Sequence, residues 1–192
     1  VKKVLDKNKV KYTEPENLYK LTAKFIADGK IVAWFQGGAE FGPRALGNRS
    51  ILCKPFPKSM KDYLNFRVKF REGFRPFAPA VLEKYQKNYF KINQISPHML
   101  IASKVKDSKK SEIPAIVHID KTCRVQTVNE KLNYKFNNLL EEFNKLTKVP
   151  VLLNTSFNVK GQPIVNTPQQ AIDTFKSTNI DLLVIDDYIL QK

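Results

Sequence analysis

Residues 31–52 read IVAWFQGGAEFGPRALGNRSIL, and this stretch decides the fold because it joins two apolar runs through a glycine-rich loop. The run from Ile31 to Phe35 is short, apolar and bounded by glycine-bearing segments, which is typical of a buried strand. From Gln36 to Asn48 the chain has four glycines and a proline, a composition that predicts a shaped loop. The apolar pattern resumes at Ile51, so the segment is predicted to be a strand, a loop and a second strand.

The rest of the chain alternates between helical and strand patterns. The segment Thr13-Glu14-Pro15-Glu16 predicts the start of a helix that Gly29 ends, and Ser59 predicts the cap of a second helix that runs to about Val68. Further helices are predicted over Phe136–Leu146 and from the capping box at Thr167. Further strands are predicted at Ala80–Leu82, Met99–Val105, Ile116–Ile119, Val125–Val128, Val151–Leu153, Leu182–Ile185 and Tyr188–Leu190.

This alternation predicts an α/β domain whose mixed parallel and antiparallel sheet is flanked by helices in two or three layers. No linker divides the chain, so we expect one domain over residues 1–192, in which residues 1–19 are a boundary segment and the start of the first helix. No apolar run reaches about 18 residues and no signal peptide is visible, which predicts a cytoplasmic protein without membrane contact.

The charge balance indicates the kind of partner. The 33 basic and 18 acidic residues give a formal charge of +15, which favours a polyanionic partner or an acidic substrate, with a lysine-coated surface as the alternative. Only six of the basic residues are arginines, and five of those six lie between Arg44 and Arg75. Guanidinium groups bind phosphate and carboxylate in a planar, bidentate manner, so this clustering indicates an anion site.

Metal chemistry within the chain has few candidate ligands. Cys53 and Cys123 are far apart and lack a nearby cysteine or histidine partner, a spacing that fits neither a disulfide framework nor a zinc site. The histidines are His98 and His118 alone, so we expect no metal site within this chain. Any metal ion would arrive on a phosphate.

The glycine-rich loop contributes the first candidate site, from Glu40 to Ser50. Glycines allow close backbone approach, so successive amides can converge on an anion while Arg44 and Arg49 supply fixed positive charge. A phosphate site needs this combination. The alternative is a tight connection in which the two arginines pair with Glu40 or Asp62.

A second candidate site lies between Lys69 and Pro79, where basic residues alternate with phenylalanines and the prolines exclude a helix interior. We expect the phenylalanines to hold this loop on the core while Lys69, Arg71 and Arg75 project into a cleft. Rigid placement of charge is what electrostatic catalysis requires, which favours a catalytic role for Lys69 and Arg75. An ordinary loop with solvated charges is the alternative.

Two later segments complete the candidates. Alternation along a predicted strand end places His118 and Asp120 on one face, shortly before Arg124, the remaining arginine. A lone histidine is more often a structural hydrogen-bonding residue than a catalyst, and both roles stay open for His118. Polar side chains then follow the strand at 151–153, where they form a plain turn or bind phosphate oxygens or phosphate-bound Mg²⁺; they are Asn154, Thr155, Ser156 and Asn158.

In their order and spacing, these four segments closely resemble the C-terminal domain of the NodU/CmcH family of O-carbamoyltransferases, which has a YrdC-like fold. The resemblance extends from about Lys20 to Lys192 and is nearly residue for residue in the segments 40–50, 69–81, 118–128 and 150–168. The chain has no Walker loop, dinucleotide fingerprint or nucleophile elbow, so its residues alone indicate only an arginine-rich polyanion site in an α/β domain.

The resemblance implies that the domain uses ATP, with Mg²⁺ on its phosphates, and carbamoyl phosphate to form carbamoyl adenylate. It also implies a partner, an N-terminal domain of the actin-like ATPase superfamily that binds a metal such as Fe²⁺ and the acceptor whose hydroxyl takes the carbamoyl group. Because the chain begins at Val1 rather than at methionine, we expect that domain to be missing upstream.

By position, the resemblance implies that five cationic side chains bind and polarise the phosphates and carbamoyl phosphate: Arg44, Arg49, Lys69, Arg75 and Arg124. It implies that Asn154 and Ser156 orient phosphate or Mg²⁺. The chain departs from the family pattern at Gly38-Ala39 and at Lys121, which bears on the shape of the pocket and on the segment around His118.

Two other classes of function remain open from the sequence. A basic domain of this fold could bind RNA or nucleotides without carbamoyl chemistry, because a charge of +15 supports salt-sensitive RNA binding. The third class is a scaffold that keeps the fold without activity. The presence of Lys69, Arg75 and Asn154 argues against that scaffold.

Overall fold

The computed structural model describes all residues from Val1 to Lys192, and an eight-stranded sheet forms its centre. In chain order the strands are β1 (Val32–Phe35), β2 (Arg49–Cys53), β3 (Ala78–Leu82), β4 (Ile101–Lys104), β5 (Thr122–Val128), β6 (Val151–Ser156), β7 (Leu182–Ile185) and β8 (Tyr188–Gln191). In space they are ordered β4-β5-β3-β6-β2-β1-β7-β8. β1 pairs with β7, and β3 with β5, in parallel, whereas the other neighbours are antiparallel. The predicted mixed sheet is confirmed.

Six α-helices accompany the sheet: α1 (Lys2–Lys7), α2 (Leu18–Ala27), α3 (Met60–Leu64), α4 (Gln86–Tyr89), α5 (Tyr134–Thr147) and α6 (Pro168–Ser177). Helices α2 and α5 pack against each other and on the central strands, and α6 contacts β1 and β7. No helix has both the length and the apolar character that a membrane span requires. The flanking helices that the sequence predicts are therefore present.

The core explains why the sheet is a rigid support for the loops at its edge. Strands β1, β2, β3 and β7 are buried along their whole length, and most of their residues are apolar. Strands covered on both faces have such near-continuous apolar runs. Their side chains belong to one cluster of 49 buried apolar residues that also includes the inner faces of α2, α5 and α6.

The predicted capping box at Thr13 is wrong, although the helix itself is present. The N–H group of Thr13 donates to the carbonyl of Ile189 at 2.9 Å, and the N–H group of Ile189 returns a bond of the same length. This pairing with β8 keeps Thr13 extended. Helix α2 instead begins at Leu18, where the side chain of Asn17 accepts a hydrogen bond from the backbone N–H of Lys20.

The predicted strand at Ile116–Ile119 is also wrong. Residues Pro114–Ile116 form a 3₁₀ turn, and the N–H group of Lys121 donates to the carbonyl of His118 at 2.9 Å to close a second turn. Lys121 has a φ of 65°, a left-handed conformation that does not occur within a regular strand. Strand β5 therefore begins at Thr122, and strand alternation does not describe His118 and Asp120.

Other elements differ from the prediction in extent. Helix α3 continues into a π-helical turn at Asn65–Lys69, and the side chain of Ser59 makes no capping bond. Strand β6 runs to Ser156, so the predicted polar loop starts inside the sheet. The capping box between Thr167 and Gln170 is confirmed. Helices α1 and α4 were not predicted, because six and four residues are too few to show helical periodicity.

The glycine-rich loop packs directly on α5 at Gly47. This residue has a φ of +109°, and a Cβ atom added to it would lie 2.3 Å from Cδ1 of Phe136, a fully buried ring of the helix. The carbonyl of Gly47 also accepts a hydrogen bond from the indole Nε1 of Trp34 at 2.9 Å. Glycine is therefore required here both for backbone conformation and for space.

We expect Gly47→Ala to lower the free energy of unfolding by at least about 2 kcal/mol, because it combines overpacking with a strained positive φ. Gly38→Ala is the matched control, since Gly38 has no positive φ and an added Cβ would meet no atom within 4 Å. Urea unfolding monitored by Trp34 fluorescence measures both changes. Equal stability of the two variants would contradict the close packing of this loop on α5.

Candidate functional site

The floor of the candidate site is one face of three adjacent strands. In the strand register, Ala80 of β3 lies opposite Gln126 of β5, and Ala78 of β3 lies opposite Asn154 of β6. The small alanine side chains leave room above the middle strand, and Nδ2 of Asn154 reaches Oε1 of Gln126 at 2.8 Å. A line of amide groups therefore crosses the sheet at this point.

Four arginines from three separate segments surround a cavity of about 490 Å³ above the edge of this floor. Arg44 comes from the glycine-rich loop, Arg71 and Arg75 from the loop after the π-helical turn, and Arg124 from β5. A narrower space of about 100 Å³, also lined by Arg44, Arg71 and Arg124, continues to the end of β6 and includes Asn154, Thr155 and Ser156. We call the two spaces together the arginine cleft.

The arginine cleft carries more positive charge than its carboxylates neutralise. Burial lowers the pKa of Arg71, and the charges of Arg75 and Arg124 act in the same direction. Burial likewise lowers the pKa of Arg124, with a further contribution from Arg44. Mutual repulsion of this kind makes the bound state of a polyanion favourable, because the anion replaces like-charge contacts with opposite-charge contacts.

Two carboxylates lie near the cleft, and each already has partners. Glu72 forms an ion pair with Nε of Arg75 at 2.9 Å, with both side chains about half exposed. Asp120 accepts hydrogen bonds from the hydroxyl and the backbone N–H of Thr122, and its Oδ1 lies 3.0 Å from Nδ1 of His118. These bonds lower the pKa of Asp120 to about 2, so it is ionised at neutral pH. His118 and Asp120 therefore line the outer part of the cleft as a bonded pair.

Arg49 does not line the arginine cleft. Its side chain is 3% exposed, and its two terminal nitrogens donate to four backbone carbonyls, those of Gln36, Gly37, Asn48 and Asn166. Its guanidinium carbon also lies 3.6 Å from the centre of the Phe35 ring. The predicted role of Arg49 as a phosphate ligand stays a prediction, and in this structure Arg49 holds the glycine-rich loop.

Glu40 organises the same loop from the other side. One carboxylate oxygen, Oε1, accepts hydrogen bonds from the backbone N–H groups of Leu46, Asn48 and Arg49 at 2.7, 2.7 and 3.2 Å. The alternative in which Glu40 or Asp62 pairs with the loop arginines does not occur. The Glu40 carboxylate accepts backbone hydrogen bonds instead, and Arg44 therefore has no carboxylate partner in the cleft.

Lys69 lies directly behind the end of β6. Its Nζ atom donates to the carbonyls of Ser156 and Asn158 at 2.8 and 2.9 Å, and to Oδ1 of Asn158 at 2.9 Å. The Ser156 hydroxyl, which belongs to the cleft lining, is 3.5 Å from the same nitrogen. Burial lowers the pKa of Lys69 to about 7, and the charge of Arg71 contributes in the same direction.

Among the predicted polar residues of β6, Asn154 is the one with an unmet hydrogen-bonding group. Its side chain is 1% exposed, and its Nδ2 donates to the Ala45 carbonyl and to Gln126. Its Oδ1 has no partner, although buried polar atoms normally have one. Thr155 and Ser156 also line the cleft, whereas Asn158 binds Lys69 and the Ser156 hydroxyl behind it.

Sequence reasoning missed Gln126, which links the loop to the floor. Its Oε1 accepts from Asn154, and its Nε2 donates to the carbonyl of Leu46 at 2.6 Å. The available signal was a polar residue two positions after Arg124 in a predicted strand, a spacing that places both side chains on the same face.

Comparison with known proteins gives a consistent result for family and fold. The family model described as Carbamoyltransferase C-terminus matches residues 23–192. Nodulation protein NolNO from Sinorhizobium fredii is 46% identical over 173 residues, which cover 88% of this chain and 25% of that protein. The chain spans about a quarter to a third of the length of the first curated relatives it matches.

Solved structures of low identity share the fold. Full-length HypF in a phosphate- and nucleotide-bound form is 21% identical with a TM-score of 0.63, over 92% of this chain and 26% of that chain. Sua5 of P. abyssi, complexed with L-threonine, is 15% identical with a TM-score of 0.61, over 88% of this chain and 46% of that chain. The predicted YrdC-like fold is confirmed.

We expect Lys69 to make stability depend on pH above neutrality. Its pKa is about 7 in the folded chain and near the ordinary lysine value of about 10.4 when unfolded. Between these values the unfolded state binds more protons, so the free energy of unfolding rises with pH, by up to about 1.4 kcal/mol per unit. Lys69→Met should remove this contribution when urea unfolding is compared at about pH 7.5 and about pH 9.

Lys58→Met is the control, because it removes a lysine from an exposed position. It should keep the pH dependence of the unchanged chain. Parallel stability curves for the unchanged chain and Lys69→Met across this interval would contradict the proposed titration of Lys69.

Proposed function

The chain belongs to the family of carbamoyltransferase C-terminal domains, and we propose that its arginine cleft forms carbamoyl adenylate from carbamoyl phosphate and ATP. One observation carries the proposal: three segments far apart in sequence bring Arg44, Arg71, Arg75 and Arg124 to one cavity. Both substrates are polyanions, and clustered guanidinium groups are suited to hold several phosphate oxygens at once.

In the first proposed step, carbamoyl phosphate binds with its phosphate among the arginines. Water attacks the carbamoyl carbon, the bond from that carbon to the bridging phosphate oxygen breaks, and the products are carbamate, hydrogen phosphate and one proton that is released to solvent. The residues of the cleft bind the phosphate and disperse its charge as it leaves. The inner space of the cleft is narrow and ends at Asn154.

In the second proposed step, a carbamate oxygen attacks the α-phosphorus of ATP. A bond forms between that oxygen and the α-phosphorus, the bond to the bridging oxygen of the β-phosphate breaks, and pyrophosphate leaves. Neither a general acid nor a general base is needed, because the nucleophile is already an anion. Fixed positive charge is the expected catalyst, since phosphoryl and nucleotidyl transfers rely mainly on positioning and electrostatic stabilisation.

Mg²⁺ would reach the site on the triphosphate, where it neutralises phosphate charge. The oxygen ligands that Mg²⁺ prefers are available at the end of β6, namely Oδ1 of Asn154 and the hydroxyls of Thr155 and Ser156. Lys69 is proposed as a catalytic cation next to them, and its contacts with Ser156 and Asn158 hold the turn that presents these ligands.

The final transfer is proposed to occur elsewhere in a longer protein. The curated relatives are three to four times as long as the matched region, which leaves room for a partner domain in the same chain. We assign to that region the N-terminal, actin-like ATPase-type domain that binds the acceptor and an ion such as Fe²⁺. The acceptor hydroxyl would attack the carbamoyl carbon of carbamoyl adenylate, and AMP would leave.

We expect the full-length protein to release pyrophosphate from ATP only when carbamoyl phosphate is present. Arg75→Ala, Arg124→Ala and Lys69→Ala should each lower this release by about 100-fold or more, because each removes charge from the transition state. A coupled pyrophosphate assay with and without carbamoyl phosphate measures the effect.

Lys87→Ala is the matched control, because it removes one positive charge from an exposed position outside the cleft. It should leave pyrophosphate release unchanged. Equal release in the absence of carbamoyl phosphate would show that carbamoyl phosphate is not the donor, and full activity of Arg75→Ala and Arg124→Ala would exclude the cleft as the site.

A further inference from the structure

The arginine cleft requires a proton acceptor for the first proposed step, because attack of water on the carbamoyl carbon releases one proton. The arginines that bind the phosphate are unable to accept it, since guanidinium groups stay protonated in proteins. A base that takes the proton while the new bond forms accelerates such a step by about 10²–10⁴-fold. The lining of the cleft is therefore the place to look for a base.

Most other ionisable groups at the cleft are unsuited to this role. Cys123 lines the outer cavity, but burial raises the pKa of its thiol to about 12. Hydrogen bonds from Thr122 lower the pKa of Asp120 to about 2, which makes its carboxylate a weak base. Lys69 is outside the lining, and its Nζ atom already donates to three oxygens at 2.8–2.9 Å. Apart from the arginines, His118 is the ionisable side chain of the lining that remains.

The contact between His118 and Asp120 determines which nitrogen of the ring is basic. Nδ1 of His118 lies 3.0 Å from Oδ1 of Asp120. An ionised carboxylate only accepts hydrogen bonds, so Nδ1 has to carry the hydrogen in this pair. In the neutral ring the lone pair then lies on Nε2, which makes no hydrogen bond within the chain. Nε2 is therefore available to accept a proton.

The turn before β5 holds this pair in place at the wall of the cavity. The N–H group of His118 donates to the carbonyl of Thr122 at 3.1 Å, and the carbonyl of His118 accepts from the N–H group of Lys121 at 2.9 Å. The hydroxyl and the N–H group of Thr122 both donate to the same oxygen of Asp120, at 2.6 and 2.9 Å. The His118 side chain is 27% exposed, so it contacts solvent as well as lining the cavity that Arg124 also lines.

We propose that His118 is the general base that takes a proton from the attacking water in the first step. This inference rests on the proposed function and assigns one of its proton transfers to one residue. As the water oxygen bonds to the carbamoyl carbon, Nε2 accepts one proton of the water. The bond from that carbon to the bridging phosphate oxygen breaks, and the second proton passes to the leaving phosphate. The imidazolium, stabilised by the Asp120 carboxylate, then releases its proton to solvent.

Carbamate supplied directly bypasses the step assigned to His118, which gives a selective test. Ammonium carbamate provides this ion at mildly alkaline pH. In the full-length protein, His118→Gln should lower pyrophosphate release from ATP with carbamoyl phosphate by about 100-fold, and should change release with ammonium carbamate by less than about two-fold. Asp120→Asn should also lower release with carbamoyl phosphate alone, because the charge that stabilises the imidazolium is lost. A pyrophosphate assay with each donor measures these effects.

Two further variants calibrate the assay. Arg124→Ala should lower release with both donors, because its charge is proposed to act on the phosphates of both substrates. Asp62→Asn is the matched control for Asp120→Asn, since it removes a carboxylate from an exposed position outside the cleft. It should change release with neither donor.

The outcomes separate this inference from the proposed function. Equal losses with both donors in His118→Gln, or no loss with either, would overturn the role of His118 as the base and leave the proposed function intact. Release with carbamoyl phosphate but none with carbamate in the unchanged protein would exclude carbamate as the intermediate, and the base with it. Absence of release with either donor in the unchanged protein would overturn the proposed function and this inference together. Release with carbamate reports that each variant is folded.

Discussion

The buried guanidinium of Arg49 is the interaction on which the rest of the site depends. It has no carboxylate partner, and its two terminal nitrogens donate instead to backbone carbonyls of the glycine-rich loop and of Asn166, while its Nε has no partner. The carboxylate of Glu40 accepts hydrogen bonds from three backbone N–H groups of the same loop. Charge-assisted bonds to a backbone are strong and fix its path. The loop can therefore hold Arg44 close to Arg124 without a neutralising acid between them. The hydrogen bonds of Arg49 and Glu40 offset the repulsion between those two arginines.

The cations around the cleft form two groups, those that line the cavity and those that lie behind it. Cations that face the cavity have few protein partners, whereas Arg49 and Lys69, behind it, donate several hydrogen bonds to protein oxygens, most of them backbone carbonyls. The hydrogen bonds of Arg49 and Lys69 fix the glycine-rich loop and the turn after β6, so that the cations facing the cavity are in position before the ligand arrives. Preorganised charge of this kind is more effective than charge that must be gathered on binding, because no reorganisation is required at the moment of reaction.

Sequence reasoning predicted the sheet class, most elements and the convergence of the arginines, because apolar periodicity and the uneven use of arginine are both local features. It could not tell that Arg49 points inward while Arg44 lines the cleft, since both stand in one glycine-rich segment of the sequence. The folded chain separates them, because it brings Arg49 onto the Phe35 ring and to four backbone carbonyls. The strand predicted at Ile116–Ile119 failed because the turn at Lys121 overrides an apolar pattern of four residues. Gln126 had a weak signal, and its role depends on the register of two strands that are not neighbours in sequence.

The pairing of Thr13 with Ile189 has a consequence for how a longer polypeptide must be arranged. It fixes the entry of the chain beside β8, at one margin of the sheet, while the arginine cleft lies over β5, near the opposite margin. Six strand spacings separate the two, a path of up to about 29 Å. A neighbouring domain that meets the sheet at the β8 margin and takes up the product of the cleft therefore has to extend across most of the width of the sheet.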